Sequence, residues 1–199
     1  MESSNVYTAP LSTPAAVLDL QSVSELWNGQ AGGFGWSLNW EGAQRFSLRS
    51  QVKKHEEPAP RRNPVSILLI EDNPADSGLV REALEGHGVE GELVVLFDGD
   101  QAIRFIEQID SGHDTTPDLI ILDFNLPKRP GREVLTKIRL SVKCQNVPVV
   151  ILTSSGAIRD RTDAGRLGAS RYIVKPLLLE EFIALGSVFR EILAGSSPQ

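Results

Sequence analysis

Glu71-Asp72, Asp123, Thr153 and Lys175 stand at the ends of four separate apolar runs, and their types fit one kind of chemistry. Sites in open α/β sheets lie beyond the carboxyl ends of the strands. If the four runs are strands of one parallel sheet, three carboxylates, a hydroxyl and an amine meet at one edge. Two carboxylates about 4 Å apart repel by roughly 1 kcal/mol in water and roughly 4 kcal/mol at an effective dielectric of 20. Such a cluster calls for a cation. An all-oxygen set with few protein anchors suits Mg²⁺, which keeps several waters and favours phosphate oxygens, and the Lys175 ammonium would offset more of the charge. A metal beside an aspartate supplies what phosphoryl transfer needs, positioning and neutralisation of the oxygens in flight. Asp123 is then the expected nucleophile, forming an acyl phosphate, with Thr153 placed to hydrogen-bond a new phosphoryl oxygen. Each residue alone has an ordinary reading. Glu71-Asp72 could favour a helix dipole, Asp123 could be a turn residue, Thr153 a loop residue and Lys175 a surface charge. Their conjunction on four strand ends carries the argument.

The elements that must position these residues are regular from residue 65 onward. The apolar runs 65–70, 93–97, 119–122, 148–152 and 172–174 read as strands, the first rich enough in Ile and Leu to be buried on both faces. Asn73-Pro74 caps and starts a helix to about His87, and Asp98 caps another through about Ile109. Further helices are expected near Arg132–Leu140, Ile158–Leu167 and Leu177–Leu193. Strands alternating with helices through short loops predict an α/β fold with a doubly wound parallel sheet and helices on both faces.

Before that, the text is irregular. Residues 56–64 form a proline-rich polar linker, and residues 1–63 are assigned to a mostly disordered N-terminal extension, with 64–195 as the folded domain and 196–199 as a tail. Two features there keep an alternative open. Thr13-Pro14 with Val17, Leu20, Val23 and Trp27 could build a short helix. Phe34, Trp36, Leu38 and Trp40 alternate with polar residues, and Glu41-Gly42 could turn that strand back towards Phe46 and Leu48. Such a hairpin would need the domain or a partner to rest on, and could serve as an aromatic docking strip.

Composition narrows the class. A net charge of -6 over 199 residues argues against nucleic acid as the main partner. A single cysteine, Cys144, makes no internal disulfide. There is no signal-peptide pattern and no apolar run of membrane-spanning length, so no membrane role is expected and the cytoplasm is the expected location.

Residues from about 64 to 194 resemble the response-regulator receiver domain of two-component signalling. Ile70-Glu71-Asp72-Asn73-Pro74, Leu122-Asp123-Phe124-Asn125-Leu126-Pro127, Leu152-Thr153-Ser154-Ser155 and Tyr172-Ile173-Val174-Lys175-Pro176 carry the resemblance. The stretch Asn125 to Leu135 is similar to the single-domain regulators that partner phytochrome-type sensor histidine kinases. The resemblance implies a flavodoxin-like five-stranded sheet in the order 2-1-3-4-5. It implies that Asp123 is the phosphoacceptor and that Asp72, Asp123 and the backbone carbonyl of Asn125 bind Mg²⁺, with Glu71 acting through water. Lys175 would pair with the phosphoryl group, and the Lys175–Pro176 bond is a candidate for cis. Thr153 and Tyr172 would form a switch pair in which the hydroxyl moves to the phosphoryl group and the ring turns inward. Pro130 departs from the family, standing where an acidic residue is common, and Ser155 leaves the phosphoryl lifetime unread.

No output domain is expected after Leu193, and none of His55, His87 and His113 sits in a kinase phosphorylation box. The expected role is a phosphorylation-switched signalling protein, not an enzyme beyond self-phosphorylation and autodephosphorylation. It would take its phosphate from a sensor histidine kinase and signal by binding a downstream protein or by relay to a histidine phosphotransfer partner. A homodimer through the fourth helix, fifth strand and fifth helix stays open, since Ile183, Leu185, Val188, Phe189 and Ile192 more than fill one buried stripe, although core packing alone could use them all. Three rivals remain. A metal-dependent phosphatase or nuclease would generally show Asp-x-Asp where this chain has Asp123-Phe124-Asn125. A flavin carrier would need a phosphate-cradling loop where Glu71-Asp72 repels one. A degenerate scaffold would not need the full acidic set.

Overall fold

Why the strand at residues 65–70 can be so apolar is answered by what lies on each side of it. The structure, a computed structural model, describes residues 36–38, 44–48 and 64–195. Its strands are Trp36–Leu38 (β1), Gln44–Leu48 (β2), Val65–Ile70 (β3), Gly91–Leu96 (β4), Leu119–Leu122 (β5), Val149–Thr153 (β6) and Arg171–Val174 (β7). The helices are Pro74–Gly86 (α1), Gly99–Ser111 (α2), Gly131–Leu140 (α3), Ile158–Arg166 (α4) and Leu179–Gly195 (α5). Leu68 and Ile70 of β3 join a core with Phe105 and Ile106 of α2 and Leu135 and Ile138 of α3. Ile67 and Leu69 face the opposite way, into a second core with Leu84 of α1 and Phe182 and Phe189 of α5. Burial on both faces removes the need for polar alternation, which is why β5 is apolar throughout, β3 is broken only by Ser66 and β6 only by its terminal Thr153.

Local signals start and stop the helices that come after the strands. The Asn73 side chain accepts from the Ala75 amide with Pro74 in the first turn, and Asp98 accepts from the Gln101 amide. Gly112 at φ 84° ends α2 in the left-handed conformation that glycine adopts without strain.

All strands belong to one sheet in the order β1-β2-β4-β3-β5-β6-β7. The parallel part, β4-β3-β5-β6-β7, has the expected order 2-1-3-4-5. Register places the site. Ile70 pairs with Leu122 across β3 and β5, so Glu71 and Asp123 leave the sheet at the same level. Thr153 pairs with Val174 across β6 and β7, so Lys175 comes one step beyond. Bonds from the Asp123 amide to the Ile70 carbonyl at 3.0 Å and from the Lys175 amide to the Thr153 carbonyl at 2.8 Å continue the ladder to the site.

The sheet has two more strands than the five expected, and they come from the segment assigned to a mostly disordered extension. β1 and β2 form an antiparallel hairpin with Trp36 opposite Phe46, and β2 runs antiparallel along β4. The reason is the period-2 pattern of β2. Leu48 is buried and Phe46 packs on the same core, under the Arg81 guanidinium at 4.7 Å. Arg45 points to the other face, where it bonds Glu92 at 2.8 Å and Asp114 at 2.7 Å. The helix proposed after Thr13-Pro14, the Glu41-Gly42 turn, the linker before Pro64 and the tail 196–199 lie outside the described residues. All described peptide bonds are trans, so the expected cis bond at Lys175–Pro176 is corrected to the form an X–Pro bond generally prefers.

If β2 is part of the core, Leu48→Ala removes a buried side chain and lowers the unfolding free energy by about 2 kcal/mol or more. Urea unfolding followed by circular dichroism measures this. A variant as stable as wild type would return the segment to the status of a tail.

Candidate functional site

Three elements deliver carboxylates to one ammonium. Lys175, just past β7, donates to Glu71 Oε2 at 2.7 Å, to Asp123 Oδ2 at 2.7 Å and to Asp76 Oδ2 at 2.8 Å. Glu71 comes directly after β3, Asp123 directly after β5, and Asp76 lies in the first turn of α1. Glu71 is 1% exposed and Asp123 4%. The Asn73 amide donates to Glu71 Oε1 and the Asn125 amide to Asp123 Oδ1. Both buried carboxylates thus have each oxygen engaged, as buried charges require.

Asp72 is exposed, and its carboxylate, with those of Glu71 and Asp123, offers oxygens that all lie within 4.8 Å of one another. Three acids this close, all with oxygen donors and one open to solvent, fit a small hard divalent cation. Close packing behind them keeps Asp123 in place. A Cβ on Gly131 would lie 2.3 Å from the Asp123 carbonyl oxygen, so the loop can fold back against the strand end only with glycine there. That loop is tied to α2 by Lys128 Nζ on Asp98 Oδ2 at 2.6 Å and by the Gly99 amide on the Pro127 carbonyl.

Thr153 is buried at the end of β6, with Oγ1 accepting from the Asn125 side-chain amide at 3.3 Å and from the Ser155 amide at 3.4 Å. Tyr172 on β7 is half-buried against the first core. Its ring meets Phe124 edge to face at 6.1 Å, and its hydroxyl donates to the Ser155 carbonyl at 2.8 Å. Glu71, Asp72, Asp123, Thr153 and Lys175 therefore stand at this one edge, with Tyr172 beside it on β7.

Three further contributors carry no such mark in the sequence. Asp76 has no role assigned from the sequence, and only the fold shows its bond to Lys175. The Asn125 side chain, expected to matter through its backbone, also bonds Thr153 and Ser154. Asp98 reads as a helix cap and also anchors Lys128.

The charge balance is uneven. Burial raises the Glu71 carboxyl, and the Lys175 bond and charge counter this only in part, leaving it pushed up to about 7. Burial alone would lower the Lys175 ammonium, but its bonds to Asp123, Asp76 and Glu71 outweigh that and hold it well above the ordinary lysine value. One ammonium divided among three acids is fully satisfied, while for Glu71 its share does not offset the cost of burial.

The folded protein therefore holds a proton on Glu71 that the unfolded chain, at an ordinary 4.5, releases. Its contribution to stability falls as pH rises from about 4.5 to about 7. The Lys175 contribution is constant there, because a raised lysine loses its effect only far above this window. In chelator, wild type should lose more stability between pH 5 and pH 8 than Glu71→Gln, by urea unfolding at both values. Equal losses would show that Glu71 does not titrate in that range.

Comparison with known proteins agrees with this geometry. The family model described as the response regulator receiver domain matches residues 67–185. Response regulator Rcp1 of Synechocystis sp. is 38% identical over 123 residues, 61% of this chain and 84% of that protein. The crystal structure of the phosphorylated cyanobacterial phytochrome response regulator RcpA superposes with a TM-score of 0.61 at 34% identity, covering 67% of this chain and 97% of the other. The Mn²⁺-bound form of Rcp1 gives 0.59 at 36%, covering 64% and 93%. Strand order, an acidic edge with one lysine, and a family match over more than half of the length together make this chain a member of the response regulator receiver domain family.

Proposed function

We propose that Asp123 accepts a phosphoryl group from the phosphohistidine of a sensor kinase and that the protein signals through the resulting change in its binding surface. The observation that carries this reading is the Lys175 ammonium seated on Asp123, Glu71 and Asp76 beside the exposed Asp72. A carboxylate oxygen of Asp123 attacks phosphorus, the P–N bond of the donor breaks, and its electron pair stays on the departing imidazole. The product is an acyl phosphate. Lys175 holds Asp123 in place and lends positive charge to the phosphoryl oxygens, and the Thr153 hydroxyl is the donor for one of them. Asp72, Asp123 and the Asn125 carbonyl, with Glu71 through water, would hold Mg²⁺, which supplies charge neutralisation when bound. Water then hydrolyses the acyl phosphate in autodephosphorylation.

The relatives described as phytochrome response regulators favour a phytochrome-type kinase as donor. A cytoplasmic address goes with this reading. The domain is taken as residues 64–195, supplemented at its edge by β2. Output goes to a downstream protein or a histidine phosphotransfer partner. On the face expected for a homodimer, formed by α4, β7 and α5, Leu185 and Phe189 are buried in the core and Ile183, Val188 and Ile192 are half-buried, so core packing uses much of that stripe. Among the described residues the large apolar side chains left exposed are Leu140 and Val142 at and just after the end of α3, Ile158 on α4, Val174 on β7, and Leu177, Leu178 and Leu179 at the start of α5. Those on α4, β7 and α5 are open to a second copy or a partner helix on the expected face.

Two experiments test the reading. Intact mass and Phos-tag mobility after acetyl phosphate should show one phosphate added only with Mg²⁺ to wild type and none to Asp123→Asn; a labelled Asp123→Asn would move the acceptor elsewhere. Lys175→Ala should still bind Mg²⁺ but should not change partner affinity on phosphorylation. Phosphorylation-dependent binding that survives in Lys175→Ala would remove the lysine from the coupling.

A further inference from the structure

Beside the phosphoacceptor edge lies a second set of polar contacts that the phosphoryl chemistry does not use. Arg132, in the first turn of α3, pairs with Asp160 in the first turn of α4, and Asp163 lies 3.5 Å from the same nitrogen. The other Asp160 oxygen accepts from the Ser155 hydroxyl. Ser155 belongs to the loop that leaves β6 after Thr153, and its carbonyl is the acceptor for the Tyr172 hydroxyl. Phe124, the residue after Asp123, closes the circuit. The Arg132 guanidinium sits 5.9 Å from its ring centre, and the Tyr172 ring meets the same ring edge to face at 6.1 Å.

An exposed ion pair by itself contributes little to stability. This one differs in what it holds. The first residue of the loop, Ser154, is exposed, as are Gly156 and Ala157, and Ala157 caps α4 without a side-chain bond. The start of the loop is held by Asn125 on Ser154 and by the Ser155 amide on Thr153. Its far side is held through the Ser155 hydroxyl, which accepts from the Ala157 amide and donates to Asp160, itself fixed by Arg132. Arg132 gives up something to be there, because its Nε is buried with no hydrogen-bond partner. An unpaired buried N–H is costly, so packing over Phe124 and pairing with Asp160 must outweigh that cost.

We propose that Arg132 and Asp160 form a latch that positions the loop 154–157 so that the Ser155 carbonyl receives Tyr172 and the ring stays packed against Phe124. Both are positioning residues, and neither touches the reacting atoms. The inference rests on the phosphoacceptor reading and deepens it. The latch sets the fraction of molecules whose Thr153–Tyr172 pair is already arranged for the phosphoryl group, and the apparent rate of labelling scales with that competent fraction.

The test uses the full chain as wild type, Asp160→Asn, Tyr172→Phe and the double variant. Initial rates of Mg²⁺-dependent labelling by acetyl phosphate are measured, together with the ¹⁹F resonance of 3-fluorotyrosine at position 172 in a Tyr7→Phe background. Asp160→Asn should slow labelling about two- to fivefold, the range an ion pair of this exposure can supply, and should shift the fluorine resonance towards its solvent-exposed value. In the Tyr172→Phe background the same substitution should change the rate by less than about 1.5-fold, because the coupling runs through the tyrosine hydroxyl. A merely structural role would slow both backgrounds alike, and that result overturns the proposal. So does a labelling rate in Asp160→Asn that is unchanged or faster with an unmoved fluorine resonance. If the wild type takes up no label, the phosphoacceptor reading fails by itself, and the fluorine resonance alone decides the latch.

Discussion

One ammonium with three N–H donors meets three carboxylates, and the rest of the site is arranged around that match. Lys175 directs one donor to each of Glu71, Asp76 and Asp123. A guanidinium, with its donors fixed in one plane, could not face three acids arriving from different elements. Distance adds a second condition. β6 lies between β7 and β5, so Lys175 reaches across about 10 Å of sheet to meet Asp123. Only a long side chain on one strand and an acid leaning in from the other can close that gap. The level ends of β3 and β5 then determine that Glu71 and Asp123 face the same nitrogen.

The same match leaves the site short of positive charge. Glu71, Asp76 and Asp123 share the Lys175 ammonium with Asp72 close by, and the most buried of them responds by holding its proton to about pH 7. A fold built only for stability would not collect four acids at one edge. The two cores on either face of the sheet carry that burden, with Ile67, Leu69, Ile70 and their partners in β5 fully or almost fully buried. Conflict between local electrostatics and the rest of the fold, tolerated at one place, is what a functional edge looks like physically.

The legibility of this arrangement in the sequence depends on the range of the interactions. The strands of the parallel sheet could be read because burial on both faces leaves an unmistakable apolar run, and α1 and α2 because Asn73-Pro74 and Asp98 are local caps. The convergence of Glu71, Asp72, Asp123, Thr153 and Lys175 could be argued from strand ends alone. The edge hairpin was harder. Phe46 and Leu48 showed alternation, but what makes β2 a strand is β4 and the acids that receive Arg45, Glu92 and Asp114, all more than forty residues away in sequence. Asp76 was hidden for the same reason, since a first-turn acid looks identical whether it serves a helix dipole or a distant lysine. The apolar stripe of α5 was visible, but not how much of it α1 would cover. Gly186 lets the two helices approach so closely that a Cβ there would lie 2.0 Å from the Ala83 carbonyl oxygen.

On the phosphoacceptor reading, the short reach of electrostatics in water also constrains how a signal can leave the site. The field of exposed charges is screened over about 10 Å. The message must therefore travel as a change of position. A close-packed interior offers discrete arrangements, not gradual deformation. β6 is buried along its whole length, so it cannot slide without disturbing both cores. The part free to take a second position is the largely exposed loop 154–157 just beyond β6, together with the half-buried ring of Tyr172 that rests on that loop. Thr153 stands at the junction, with its backbone in the rigid strand and its hydroxyl within reach of the loop. A switch located there can respond to one phosphoryl group without asking the rest of the sheet to move.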